Sequence, residues 1–143
     1  MIFDLQSLFS DKQAITSTAA STNVIDRGEQ GTPAHATNLF KADLGKGTRI
    51  PVRVQVIEDF AGNDDLTAAI QVSEDEAFSD PRTVVEATAA VADLVEGYVF
   101  PIDRIPVGTN DRYIRVNYTV GGGPATAGAI TAGITMGNDE WYA

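Results

Sequence analysis

The chain has 143 residues, no cysteine, and 20 acidic against 10 basic residues, which gives a formal net charge of −10. Without cysteine, disulfides and thiolate zinc sites cannot form, so burial of apolar side chains in one domain must stabilise the fold. The acidity argues against a nucleic-acid partner, because phosphates bind clustered lysine and arginine. No segment approaches the roughly 20 apolar residues that cross a bilayer, so no membrane partner is expected.

The amino-terminal third begins with a short apolar cluster and continues as polar, extended chain. Residues 1–13 have an apolar spacing that fits one or two helical turns loosely. They form either a flap over the core or an arm that docks on a neighbouring subunit. Residues 14–26 favour an extended segment or edge strand, and residues 27–37 a loop. The sandwich core of a single domain is then expected at residues 38–143. The apolar side chains of the amino-terminal cluster are Ile2, Phe3, Leu5, Leu8 and Phe9.

The amino terminus also bears on where the protein is made. Residues 1–9 lack the basic leader and the continuous apolar run of a secretion signal. The sequence therefore predicts a soluble protein made in a cytoplasm.

The middle of the chain shows the period-two alternation of strands with one buried face. Residues 49–60 place Val52, Val54 and Val56 on one side. Residues 66–73 repeat the pattern after a turn, so the two strands are expected to pair as a hairpin or to be neighbours. A third strand is predicted at residues 82–90, followed by a short helical turn or irregular connector at residues 89–96.

The carboxy-terminal part predicts three more strands, at residues 97–102, 112–120 and 128–136. In the last of these, Ile130, Ala132, Ile134 and Met136 are expected to share one face. Short strands separated by glycine and proline turns indicate an all-β antiparallel sandwich or barrel. The pattern alone does not choose between immunoglobulin-like and jelly-roll connections.

The sequence contains few residues that could form a catalytic or metal-binding site. The only histidine, His35, stands in a loop without neighbours that suggest a metal or catalytic site. Acidic stretches at residues 58–65 and 74–80 lack the spacing of an EF-hand and favour solvated loops over calcium ligands. No catalytic residue, cofactor or metal is predicted. Trp141 and Tyr142 either pack on the protein's own sheet or anchor in a pocket of a partner.

Several segments, taken in order, carry a resemblance to a known family. They are residues 10–16, 21–26, 112–120, 126–128 and 130–133. In sequence and spacing they resemble the jelly-roll capsid cement proteins of tailed bacteriophages, including that of a Bordetella phage.

The resemblance implies a jelly roll that decorates the outside of an icosahedral head in the virion. It would bridge major capsid subunits as a symmetric homo-oligomer, a dimer or trimer. Residues 1–13 and 14–26 are then candidates for contact with the shell or a sister subunit. The predicted contact residues are Ile2, Phe3, Leu5, Leu8, Phe9, Trp141 and Tyr142.

Other functions stay open. A phage tail or fibre-associated module would share the fold class and also lack an active site. A carbohydrate-binding β-sandwich would need exposed aromatic side chains, which Tyr98, Tyr113 and Trp141 are able to supply. An enzyme is least favoured, because no nucleophile, acid or base stands in a catalytic motif.

Overall fold

Alternating apolar and polar segments fold into strands, and the computed structural model describes them within residues 2–137. Two single turns of 3-10 helix, Leu44–Lys46 and Val91–Asp93, interrupt the connections. The strands are β1 (Phe3–Ala14), β2 (Ala19–Ala20), β3 (Ile25–Asp26), β4 (Val52–Ala61), β5 (Asp65–Ser73), β6 (Arg82–Ala90), β7 (Tyr113–Gly121) and β8 (Ala127–Thr135).

The strands form two antiparallel sheets. The first sheet has the order β1-β8-β4. The second has the order β2-β7-β5-β6, and β3 also pairs with β7. Because Ala19 pairs with Tyr118 and Ile25 with Ile114, β2 and β3 lie on the same edge of β7. That edge of the second sheet is therefore made of two short pieces.

Residues 97–104 run along the free edge of β4 and occupy a fourth position in the first sheet. The Phe100 N–H donates to the Val54 carbonyl at 3.0 Å, and Val99 bridges to Gln55. Pro101 has no N–H to donate, which interrupts the ladder. The strand predicted at residues 97–102 is thus a bridged, irregular segment and not a continuous strand.

Successive strands mostly alternate between the sheets. The first sheet holds β1, β4, residues 97–104 and β8, and the second holds β2 with β3, β5, β6 and β7. These connections, with two four-position sheets face to face, are those of a jelly roll. The all-β antiparallel fold expected from the sequence is confirmed.

The core lies between the sheets and is lined by the inward-facing residue of each alternating pair. The Tyr118 hydroxyl lies 2.8 Å from Ser10 Oγ inside it. Burial raises the pKa of Tyr118, although the hydrogen bond with Ser10 opposes the rise. Side chains buried in this core include Val52, Val54, Val56, Leu66, Ile70, Ile114, Val116 and Ile130.

The expected pairing of residues 49–60 with residues 66–73 is wrong. β4 pairs with β8, whereas β5 lies between β6 and β7 in the other sheet. The turn between them carries the chain across the sandwich. Alternation identifies the inward side chains, but strands of facing sheets bury the same core and so show the same pattern.

The amino-terminal segment is also corrected by the structure. Residues 3–14 form strand β1, paired with β8 and interrupted by three register shifts, and not a helix. These bulges disturb the period-two alternation, which explains the irregular apolar spacing. Phe9 and Ile15 are fully buried. The core therefore starts before residue 38, and β1 is an edge strand of the sandwich.

Candidate interaction surface

Three connections meet at one end of the sandwich, the loop end: residues 27–51, 74–81 and 105–112. Arg27 ties the first to the third. Its Nη1 donates to the carbonyls of Thr109 at 3.2 Å and Asp111 at 3.0 Å, and its Nη2 to that of Ala42 at 2.5 Å. A charged donor makes stronger hydrogen bonds than a neutral one. One half-buried guanidinium thus holds two loops together.

Residues 31–40, the finger, extend from this junction. The Phe40 N–H donates to the Gly31 carbonyl at 3.0 Å and closes the base of the finger. Below that closure, Gln30 donates to the Asn110 carbonyl and accepts from the Ala42 N–H. Every residue of the finger is exposed. The base is fixed by hydrogen bonds while the finger itself faces solvent.

Two ion pairs of Arg112 hold the chain at the point where it leaves β3. Arg112 forms a two-pronged bond with the Asp26 carboxylate, at 2.8 and 2.9 Å, and lies 3.5 Å from Glu29. These bonds, with the Gly28 N–H, lower the pKa of Asp26 to about 2. The Asp26 bond raises the pKa of Arg112. The stem of the finger is therefore pinned to the start of β7.

Further ion pairs link the loops around the finger. Lys41 Nζ lies 2.5 Å from Glu74, which lowers the pKa of Glu74 and raises that of Lys41. Arg82 contacts Asp111 at 3.1 Å, and Arg49 contacts Asp103. All the ion pairs between two described residues lie at this end. Apart from Asp111 and Arg112, the paired side chains are exposed, so these ion pairs orient the loops more than they stabilise the fold.

Asp43 and Gly45 hold the later part of the first loop, residues 27–51, against the third loop, residues 105–112. The Asp43 carboxylate accepts from the N–H of Gly108 at 2.8 Å and of Gly45 at 2.9 Å, which lowers the pKa of Asp43. A Cβ on Gly45 would lie 2.1 Å from the Pro106 carbonyl oxygen. Only glycine permits this approach of two backbones.

The opposite end of the sandwich, residues 15–18, 62–64, 91–96 and 121–126, is joined differently. Backbone hydrogen bonds connect its loops, such as Ala125 N–H to Thr16 at 2.9 Å and Val91 N–H to Asp64 at 2.9 Å. Its loops carry three carboxylates and no lysine or arginine.

The predicted contact residues are scattered by the structure. Ile2 and Leu5 are exposed and Phe3 is half-buried. Leu8 and Phe9 are buried within the chain, Leu8 against Gly133 and Phe9 in the core, so neither side chain faces solvent. The bulges in β1 interrupt the alternation of its side chains, so neighbouring residues are buried on both faces of the sheet. Trp141 and Tyr142 lie outside the described residues. Met136, expected beside Ile134 on the inward face, is exposed past the end of β8.

The aromatic side chains proposed for carbohydrate are not gathered into a platform. Tyr98 packs edge to face on Phe100, with ring centroids 5.3 Å apart, beside the first sheet. Tyr113 is buried in β7 of the second sheet beneath the Arg112 guanidinium. Trp141 is not among the described residues.

The candidate ligands of the acidic stretches have local roles. Asp75 accepts from Ser79 Oγ at 2.6 Å and from the Ala77 N–H, and these bonds lower the pKa of Asp75. His35 lies exposed in the finger with φ of 65°. Residues 2–137 bring together no group of three histidine, aspartate or glutamate side chains that could hold a metal ion. No helix among these residues is long and apolar enough to span a bilayer.

The sequence prediction missed the finger. The stretch from Gly31 to Phe40 contains no Asp, Glu, Lys or Arg and ends in an adjacent Leu39 and Phe40. In a chain with 20 acidic residues, an uncharged loop that ends in two large apolar residues is the signal that was available. Arg27 and Arg112 could not be identified, because their partners are carbonyls and carboxylates distant in sequence.

One known protein family matches most of the sandwich. The Bbp16 family model matches residues 9–134, from the middle of β1 to the end of β8. The chain belongs to the Bbp16 family. That family is named after a Bordetella phage protein, and the match includes both sheets and the loop end. No curated protein matches the chain.

Proposed function

We propose that this Bbp16-family chain is a capsid cement protein. It binds the outer surface of an icosahedral phage head and bridges major capsid subunits as a homo-oligomer. The observation that carries the proposal is the family match over residues 9–134 of a jelly roll. The phage association supports a component of the virion as the proposed partner.

The loop end supports a binding role. Arg27, Gln30 and Asp43 connect the loops there by hydrogen bonds, so the surface they form is organised before a partner arrives. Preorganisation lowers the entropic cost of association. When several copies of such a surface bind a symmetric shell, avidity strengthens modest individual contacts.

The test uses heads of the parent phage that lack this protein. Purified protein is added at increasing concentration, the heads are sedimented, and bound protein is quantified before imaging by cryo-electron microscopy. We expect saturable binding, density on the outer shell at junctions between capsid subunits, and slower release of DNA on heating. Absence of binding, or labelling of tails alone, would overturn the proposal.

A further inference from the structure

Strand β6 forms one edge of the second sheet, and within residues 2–137 no strand pairs with its outer side. The strand is nine residues long and contains no proline. Its residues 85–90 pair with residues 65–70 of β5 without a register shift. A long, regular edge strand presents a row of backbone N–H and C=O groups to which another strand can pair.

The other three edges of the sandwich are interrupted. β1 has three register shifts, and residues 97–104 contain Pro101. The edge along β7 consists of β2 and β3, which have two residues each. Bulges, prolines and very short strands are devices that keep sheet edges from pairing with other chains. Residues 85–90 of β6 lack all of them, so this edge is the one that remains open to another strand.

The hydrogen bonds of β7 determine which backbone groups of β6 are free. The Ser21 N–H donates to the Val116 carbonyl at 2.7 Å, and the Val116 N–H donates to Ser21 Oγ at 3.1 Å. The even-numbered residues of β7 therefore face the β2 side, and its odd-numbered residues face β5. The register carries this alternation across β5, so the odd-numbered residues of β6 bond to β5. Glu86 and Thr88 direct their N–H and C=O groups to the free edge, where no residue of 2–137 bonds to them.

The side chains of β6 show what kind of strand fits beside it. Val85 and Ala87 are half-buried against the core, and Ala89 is 5% exposed. Glu86 and Thr88 are exposed on the outer face. Because directly opposed side chains share a face of the sheet, an added strand must place apolar residues on the core side and polar residues outside. The β6 strand of a second copy has this pattern.

One register suits two antiparallel copies of β6 best. A pairing centred on Glu86 places two carboxylates directly opposite each other, which is unfavourable. A pairing centred on Ala87 places Glu86 opposite Thr88 of the second copy, so that their free N–H and C=O groups exchange hydrogen bonds. Pairings centred on Val85 or Thr88 are less complete, because the first includes the register shift beside Val85 and the second leaves Val85 without an opposite strand residue.

We propose that two copies of the chain associate by antiparallel pairing of their β6 strands, centred on Ala87. The same edge serves both copies, so a twofold axis closes the contact. The second sheets of the two copies then form one continuous sheet. The inference rests on the proposed function for the role of this pair, because that function includes a homo-oligomer, whereas the contact itself is tested on the free protein.

A proline at the free edge tests the contact. Thr88→Pro removes the free N–H and places a ring there, while the bonds to β5 made by odd-numbered residues are kept. Thr88→Ala is the matched control, since both variants lose the hydroxyl hydrogen bond with Thr67 at 2.7 Å. We expect analytical ultracentrifugation to show a dimer for the wild type and T88A, and association at least about tenfold weaker for T88P.

A second test introduces a cysteine into a chain that has none. Ala87→Cys places two cysteines opposite each other in a non-hydrogen-bonded pair, whose Cα separation of about 4.5 Å permits a disulfide. Ala90→Cys is the control, because in this register the two copies of residue 90 lie roughly 20 Å apart. We expect mild oxidation to give a covalent dimer of A87C and much less of A90C.

The outcomes separate this contact from head binding. A monomeric wild-type protein, or a folded T88P that associates as tightly as T88A, would overturn the β6 contact. So would cross-linking of A90C in preference to A87C. Thermal unfolding shows whether each variant is folded, and if T88P is not, the cross-linking decides.

Binding to heads that lack this protein completes the test. If the wild-type protein is monomeric and T88P binds heads more weakly than T88A, the edge takes a strand of the shell, which overturns the second copy as its partner. If the wild-type protein dimerises through β6 but does not bind heads, the proposed function fails and the β6 contact stands.

Discussion

The two ends of the sandwich are built by different means. At the loop end, side chains connect the loops: Arg27 binds three carbonyls, and Arg112 binds Asp26. At the opposite end, backbone groups connect the loops, and the side chains there include carboxylates without basic neighbours in the same loops. The short turns of the opposite end are held mainly by backbone hydrogen bonds, with a few side-chain bonds such as that from the Val120 N–H to Thr18 Oγ1, whereas the 25-residue connection formed by residues 27–51 is fastened by charged side chains. The difference shows where the chain uses side-chain chemistry to hold a shape in solvent.

The largest loss of stability is expected when the backbones of residues 45 and 106, which lie against each other at the loop end, are forced apart. Gly45→Ala places a Cβ 2.1 Å from the Pro106 carbonyl oxygen, so one loop must move. We expect a loss of about 2–4 kcal/mol in the free energy of unfolding. Urea denaturation measures it. Gly47→Ala is the control, because nothing lies within 4 Å of a Cβ there. Equal stability of the two variants would contradict the close approach.

Removal of the side-chain clamp should have the next largest effect. Arg27→Ala leaves three carbonyls without their charged donor, and we expect a loss of about 2 kcal/mol. Hydrogen exchange should speed up at the Phe40 and Ala42 amides, which lie above the clamp. The control is Arg104→Ala, because the Arg104 side chain makes no ion pair or hydrogen bond with another described residue. If R104A destabilises as much as R27A, the clamp is not what holds the loops.

The smallest effect is a pH dependence, because Asp26 is exposed. Its pKa of about 2 in the folded protein lies below the ordinary value of 3.8. The folded state therefore binds fewer protons than the unfolded state between these values. The stabilisation by Asp26 is present above about pH 4 and is lost as the pH falls toward 2.

Melting temperatures from pH 7 to 2.5 measure this dependence. Asp26→Asn should flatten the acid limb, and Asp93→Asn, a carboxylate of the opposite end without an ion pair to a described residue, should leave it unchanged. Asp43, Glu74 and Asp75 also have lowered pKa values, so a residual slope is expected in D26N. Parallel curves for D26N and the wild type would show that the Asp26 bond adds nothing.

The sequence was informative wherever one face of a strand is buried without interruption. Residues 82–90 and 112–120 were predicted as strands and are β6 and β7 within one residue at each end. Prediction failed where another constraint interrupts the alternation: the bulges of β1 conceal its period, and Pro101 breaks the ladder beside β4. The sequence did not predict which strands pair with β4 and β5, because strands of facing sheets show the same alternation of apolar and polar residues.

The loop end was less predictable than the sheets. The uncharged stretch before Lys41 is visible in the sequence, but its exposure depends on how residues 27–51 are fastened. That fastening is done by pairs such as Arg27 with Thr109, which are 82 residues apart. Local propensity carries no information about such pairs, since they form only when the sheets bring the loops together.

The pairing of β1 with β8 has a consequence for protein engineering. The Met136 N–H donates to the Ile2 carbonyl at 3.1 Å, so the two ends of the described chain leave the sandwich side by side. They do so at the loop end, because Thr135 also bonds to Pro51. A short linker between residues 136 and 2 would therefore close the chain at the end of the sandwich that carries the finger. A circular permutant that joins the termini and opens the chain at residues 121–124 would move a displayed cargo to the far side of the domain.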